Sequence, residues 1–365
     1  MSIVKMNSEQ KLIRNEVKKF ASVELDPISS DIEREGRVPE AILGKTAQMG
    51  LFGLTVPEKY GGSGLDGVSL CVALEELGRS CSSLALVVAV NNCLIAQPIL
   101  KFGSASMQED YLRRLGKGMI GGYVPFSEIE TQGKGFTLDE RGDGRQISGK
   151  CDVVLNGALA GFIVVPVKEN DVRSLYLVDK GQAGMVVHPT AMMGLRASGA
   201  VGMGCQGTPV IRDNRLNPEA VEYSLEFARI GYSAVALGLI RASLDCALKY
   251  SKERKQFGRA ICEFPMVREM LADIKLCEER SRLAVYDAAS RFDEDEDFKM
   301  AARVACLTSC DGAVASTLKA IQVHGGYGYI QDYPVERYFR DAKSLQLLGE
   351  VPVNIKSRIA QEILL

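Results

Sequence analysis

Three late stretches, 225–248, 264–292 and 299–323, each repeat apolar residues at three- and four-residue intervals over more than 20 residues. That spacing is the signature of an amphipathic helix whose stripe must be buried. Long helices with facing stripes pack antiparallel, so residues 218–365 are predicted to form a four-helix bundle, completed by a helix that starts around Glu336, Arg337, Arg340 and Asp341. The run Asp293-Glu-Asp-Glu-Asp297 falls between two stripes and reads as their solvated link. Five consecutive acids lack the alternating spacing of a calcium loop, which argues against a metal there.

The first 120 residues are also predicted to be helical. Ser8 opens a periodic stretch as a cap residue, and the stretch 39–50 begins with proline and ends with glycine, the usual asymmetry of a helix. Further helices are expected at 68–78 and 83–102, separated from the earlier ones by a glycine-rich loop at 57–67 that reads as a surface turn. Residues 121–217 change character. Short β-branched runs such as Val153-Val-Leu155 and Phe162-Ile-Val-Val-Pro-Val167 are punctuated by turn signals at Asn156-Gly157 and Gly142-Asp-Gly144. The expected fold class is α+β, mainly α: an N-terminal helical domain (1–120), a small middle β-domain (121–217) and a C-terminal bundle (218–365).

Composition narrows the function. Lysine plus arginine number 44 against 46 acids, a net charge of −2, which favours neither a nucleic acid nor a membrane surface. Ten cysteines carry no CxxC pair, and with no signal peptide in view they read as free, mostly buried thiols of a reducing cytoplasm. Only His188 and His324 are available, too few for a histidine metal site or a Ser-His triad. No metal is expected. The apolar run 84–94 is short and contains Asn91-Asn92, so no membrane span is expected either.

One stretch carries chemistry: Gln322-x-x-Gly325-Gly326-x-Gly328-Tyr329, followed by Tyr333-Pro-Val-Glu-Arg337 and Arg340-Asp-Ala-Lys343. Glycines at a helix end admit two readings, a tight inter-helix turn or a diphosphate cradle built from exposed N–H groups. Three other blocks accompany it: Lys249-Tyr-Ser-Lys-Glu-Arg-Lys-Gln-Phe-Gly258, Gly53-Leu-Thr-Val-Pro-Glu-Lys-Tyr-Gly-Gly-Ser-Gly64 and Met193-Gly-Leu-Arg-Ala-Ser198. Together, in this order and spacing, they closely resemble the acyl-CoA dehydrogenases, and the likeness covers nearly the whole chain.

The resemblance implies the same three-part architecture, an FAD cofactor and α,β-desaturation of an acyl thioester, on CoA or on a carrier protein. A carboxylate removes the α proton while the β hydrogen leaves as hydride to the flavin. It implies that Arg254, with Phe257 in the same block, meets the FAD diphosphate. It implies too that Gln322, Gly325 and Gly326 meet that group from a neighbouring subunit. Ser127, beside Glu128, stands for the threonine that serves the flavin ring. A homo-oligomer, tetramer favoured, or a hetero-oligomer with a homologue is implied, as is an electron-transfer flavoprotein or similar acceptor.

Several expected groups are changed. Val153-Val-Leu155 replaces the family's Trp-Ile-Thr, and the chain has no tryptophan. The usual glutamate, six residues past Lys343, is Gly349, with Glu350 next to it; Ala228 occupies the alternative base position on the first bundle helix. Two readings follow. Glu350 is a displaced base of a desaturase, or the chain is a non-desaturating member: it oxidises a hydroxyl-bearing carbon, eliminates a substituent, or serves as the binding half of a heteromeric enzyme. A helical scaffold with no small-molecule site is a third reading, and it leaves Arg254 and Gln322-x-x-Gly-Gly unexplained.

Overall fold

A computed structural model describes residues 6–125, 135–141, 144–169, 172–348 and 350–364. The N-terminal part contains α1 (Ser8–Phe20), α2 (Ser29–Glu35), α3 (Glu40–Gln48), α4 (Gly67–Ser80), α5 (Ser82–Ala89) and α6 (Gln97–Phe102), the last two joined by a π-helical stretch at Val90–Ala96. The cap of α1 is Asn7, one residue before the expected Ser8: its side chain accepts from Gln10 N at 2.8 Å and Gln10 returns the bond at 3.0 Å. Asp66 caps α4 by accepting from Ser69 N.

The expectation that no stretch has membrane-spanning length is corrected. Ser82–Phe102, Glu219–Glu253 and Lys299–Tyr329 are long and apolar enough by composition, and 94%, 83% and 44% of their most apolar windows are buried inside the protein. Burial inside the protein accounts for the apolarity of the first two. Asn91 and Asn92 do not break the first of them. Both are fully buried: Asn92 bonds Thr55 N and Leu51 O, and Asn91 bonds Phe52 O and the N–H of Gly121. Each amide satisfies loop backbone that would otherwise be orphaned in the core, and Asn91 fixes where the β-domain begins.

Eight strands among the described residues form the middle sheet: β1 (Gly121–Tyr123), β2 (Gly135–Arg141), β3 (Gly144–Val154), β4 (Phe162–Glu169), β5 (Val172–Asp179), β6 (Met185–Pro189), β7 (Val201–Val210) and β8 (Arg215–Leu216). The order is β6-β7-β3-β2-β4-β5-β8, with β1 beside β4. β4 is parallel to β1 and β2 and antiparallel to β5. One sheet face closes its own small core around Phe136, Ile147, Ile163 and Tyr176; the other joins the helical core through Phe162, Val164, Leu175 and Leu177.

The bundle comprises α7 (Glu219–Glu253), α8 (Pro265–Asp293), α9 (Lys299–His324), α10 (Val335–Leu348) and α11 (Pro352–Leu364). The three stripes seen in the sequence are α7, α8 and α9. Where α4 crosses α7, Gly78 and Gly238 let the backbones touch; a Cβ at Gly238 would lie 2.6 Å from Glu75 O. The acidic run is exposed from Asp293 to Asp297. Its first member also bonds: the Asp293 carboxylate accepts from Gly67 N at 2.6 Å and Val68 N at 2.9 Å and so holds the start of α4.

Two of the sequence motifs act as a structural lock. Asp341 of α10 accepts from Leu195 N at 2.6 Å, Ser344 accepts from Gly194 N at 2.9 Å, and Arg340 pairs with Glu33 of α2 at 2.6 Å. This ties the Met193–Ser198 loop and the N-terminal domain to the bundle. Asp341 is 4% exposed, and burial pushes its carboxyl up from an ordinary 3.8 to about 6 against the pull of the Leu195 N–H. The folded protein therefore binds this proton more tightly than the unfolded chain, and the contribution of Asp341 to stability falls as pH rises from about 3.8 to about 6. Asp341→Asn keeps an acceptor but cannot ionise. Its melting temperature relative to the parent should climb between pH 4 and pH 7, by the equivalent of roughly 3 kcal/mol, and then level off. A flat difference across that range in a thermal-shift titration would refute the assignment.

Candidate FAD site

A cavity of about 510 Å³ opens where α7 and α9 end side by side, lined among others by Tyr250, Arg254, Gln322, His324, Gly325 and Gly326. α7 stops because Arg254 turns extended (φ −74°, ψ 126°), feeding a two-strand hairpin, β9 (Lys255–Gln256) and β10 (Arg259–Ala260). α9 stops at Gly325, whose φ of 59° and ψ of −136° suit glycine. A Cβ at Gly325 or Gly326 would meet nothing within 4 Å, so the cradle is open. Gly328 differs: its Cβ would lie 2.5 Å from Ile321 O, so this glycine serves packing against the helix.

Arg254 is exposed, and among the described residues no carboxylate pairs with it; its guanidinium lies 5.6 Å from the centre of the Tyr327 ring, within cation–π range. The floor is an aromatic stack. His324 lies on Tyr250 at 4.2 Å with planes 23° apart, and Tyr333 meets it edge-on. Its Nδ1–H donates to Ala320 O at 2.8 Å and its Nε2 faces Cys246 Sγ at 3.5 Å. Burial lowers the His324 pKa, so the ring is neutral at physiological pH. Composition gave no reason to single out His324 except to discount a metal. The signal was its place directly before Gly325-Gly326.

An unpaired guanidinium, an open glycine turn and an uncharged aromatic floor suit the diphosphate and adenosine portion of FAD. Arg254, Gln322, Gly325 and Gly326 line one cavity of one chain. Phe257 lies beyond the cavity on the hairpin turn, 91% exposed with φ 51°.

The isoalloxazine side is less complete. Ser127, Glu128 and Gly349 lie outside the described residues. Leu155 is buried and exchanges both backbone hydrogen bonds with Tyr123, at 3.0 and 2.8 Å; together with Val153 it supplies neither hydroxyl nor indole. Glu350 is buried at the end of α10, where its carboxylate accepts from Arg229 at 2.6 Å and from Arg358 at 3.2 Å. Arg229 is 1% exposed and also pairs with Glu226, which accepts from Arg303; Arg303 in turn reaches Glu362. Glu350 thus belongs to a buried ion chain joining α7, α9 and α11. The Glu226-x-x-Arg229 pair inside an apolar helix was the available signal for it.

Comparison with known proteins agrees with this geometry. Residues 7–119 match the family model described as "Acyl-CoA dehydrogenase, N-terminal domain", and residues 219–350 match "Acyl-CoA dehydrogenase, C-terminal domain". The short-chain specific acyl-CoA dehydrogenase of Mus musculus mitochondria is 31% identical over 359 residues, covering 94% of this chain and 87% of that protein. The butyryl-CoA dehydrogenase of Megasphaera elsdenii superposes with a TM-score of 0.94 at 27% identity, over 99% of this chain and 100% of its own. A prolyl acyl carrier protein oxidase superposes with a TM-score of 0.92 at 25% identity, over 99% of this chain and 100% of its own. The chain belongs to the acyl-CoA dehydrogenase family, as an oxidoreductase whose cofactor is FAD.

Proposed function

We propose that this family member acts on an acyl thioester without using Glu350 as an α-proton base, and that it oxidises a hydroxyl-bearing carbon of the acyl group. The observation that carries this reading is the placement of Glu350. Its carboxylate answers two guanidiniums, which hold it in place as their counter-ion. Ala228 supplies no substitute. A carbinol needs none at that position, because its proton leaves from oxygen and exchanges readily with water.

When bound, FAD accepts the hydride. Arg254, Gln322, Gly325 and Gly326 hold its diphosphate portion, and the neutral Tyr250–His324 stack supports the adenosine. The thioester is carried by CoA or a carrier protein, and the electrons pass to an electron-transfer flavoprotein or similar acceptor. Assembly into a tetramer fits the bare side chains of Phe257 (91% exposed) and, on α8, Met266 (76%) and Leu276 (58%).

The test is the visible spectrum of the purified protein under anaerobic conditions, with saturated acyl and hydroxyacyl thioesters added in turn. The protein should be yellow, and hydroxyacyl thioesters should bleach it faster than saturated ones. Bleaching by saturated thioesters alone would return the chain to the desaturases. A colourless preparation that takes up no FAD would overturn the cofactor site. Sedimentation of the same preparation as a flavin-loaded monomer would remove the proposed assembly.

A further inference from the structure

Arg254 enters the cofactor cavity from a fixed backbone. Its N–H donates to Tyr250 O at 2.8 Å, and its carbonyl accepts from Ile261 N at 2.9 Å. The side chain beyond is exposed, with no carboxylate partner among the described residues. A long side chain left so free loses rotamer freedom when it grips an anion, and that loss weakens the grip. Among the described residues, the guanidinium meets the ring of Tyr327, 5.6 Å from its centre. An aromatic ring takes the face of a guanidinium and leaves the N–H groups, which lie in the plane, free to donate.

Tyr327 is itself held. It stands in the turn Gly325–Tyr329 that follows α9. The next residue, Gly328, lies so close to Ile321 O that a Cβ would come within 2.5 Å of it, and this approach fixes the turn against the helix. The Tyr327 ring meets Tyr333 edge-on at 5.9 Å, and Tyr333 meets Tyr250 edge-on at 5.5 Å. Tyr250 lies one helical turn before Arg254, where α7 ends. The contacts therefore close a circuit, from Arg254 to Tyr327, Tyr333, Tyr250 and back along α7. Tyr250, Arg254, Gly325, Gly326 and Tyr327 line the same cavity. The Tyr327 ring is 47% exposed, which places it at the rim.

We propose that Tyr327 is a positioning residue: its ring holds the Arg254 guanidinium ready for the FAD diphosphate, so that little side-chain freedom remains to be lost when the cofactor binds. This rests on the reading of the cavity as the FAD site. Tyr327 acts through Arg254, and its effect disappears with that guanidinium. The residue between Gly326 and Gly328 thus serves the cofactor by its π face, where the glycines serve it by their bareness.

The test is serial dilution of the FAD-loaded protein, with the fluorescence of released flavin giving the dissociation constant. The parent is compared with Tyr327→Phe, Tyr327→Trp and Tyr327→Leu, each alone and combined with Arg254→Ala. Phenylalanine keeps the ring face and should keep the parent's affinity; tryptophan, the strongest cation–π partner, should equal or exceed it. Leucine fills much of the space without a π face and should weaken FAD binding about two- to fivefold, the size of an exposed cation–π contact. With Arg254→Ala in place, the phenylalanine, tryptophan and leucine variants should all bind FAD alike. A ring that merely packs the turn would give the same loss with or without Arg254. If Tyr327→Leu binds FAD as tightly as the parent, or if its loss persists beside Arg254→Ala, the inference fails while the FAD site stands. If the parent holds no FAD, the site reading fails and takes the inference with it.

Discussion

Glu350→Gln lowers the stability of the fold by about 2–3 kcal/mol, and Arg229→Met lowers it by about 3–5 kcal/mol, the range for stripping one member from a buried ion pair. The difference follows from what each leaves behind. Glutamine keeps an acceptor for Arg229, which retains Glu226. Methionine leaves both Glu226 and Glu350 short of a partner, with Arg303 and the half-exposed Arg358 as their remaining cations. The pair should be non-additive, because Arg229 and Glu350 share one bond: Arg229→Met with Glu350→Met should cost less than the sum of the two single changes. A catalytic base behaves oppositely. Glu350→Gln would then be silent in urea unfolding and would slow flavin bleaching by about 10²-fold or more. Unfolding curves and stopped-flow bleaching on the same variant separate the two. Unchanged stability with lost bleaching would sink the structural account. The exchange Gly349→Glu with Glu350→Gly, which restores the family's usual carboxylate position, should be destabilised as well, since it deprives Arg229 of the same partner.

Local periodicity was legible and long-range pairing was not. The stripes at 264–292 and 299–323 became helices Pro265–Asp293 and Lys299–His324 within a residue, because a helix face is written in neighbouring residues. Asn91 and Asn92 looked like breakers because their partners, Leu51, Phe52, Thr55, Met119 and Gly121, lie 28 to 41 positions away and were not recognisable as backbone in need of bonds. The second task of the exposed Asp293 was not legible because the helix start it holds is 226 positions earlier. The candidate cofactor cavity was legible in part: Arg254 and Gln322-x-x-Gly-Gly each sit in a compact block. Their meeting on one chain depends on α7 and α9 ending at the same level, and spacing alone does not state that. Glu350 shows the limit most clearly. Its place beside Gly349 says nothing of its bond to Arg229, 121 positions away.

Arg254→Ala should weaken FAD binding by roughly 1.5–3 kcal/mol, the range for a charge-assisted bond to an anion, which is about ten- to a hundredfold or more in the dissociation constant. The fold itself should be untouched. The guanidinium is exposed, has no carboxylate partner among the described residues and rests only on the Tyr327 ring, so the apo variant should melt with the apo parent. Arg254→Lys should fall between the two, because an ammonium keeps the charge but not the planar fork that meets two oxygens at once. The salt dependence supplies a second check. An exposed arginine acting on a diphosphate is screened by salt, so FAD affinity should fall with ionic strength in the parent and less steeply in Arg254→Ala. Fluorescence titration of FAD into the apo proteins at low and high salt measures both quantities. A variant that retains full flavin after exhaustive dialysis, with the parent's salt slope, would remove Arg254 from the cofactor site and leave the glycine turn and the Tyr250–His324 stack to hold FAD alone.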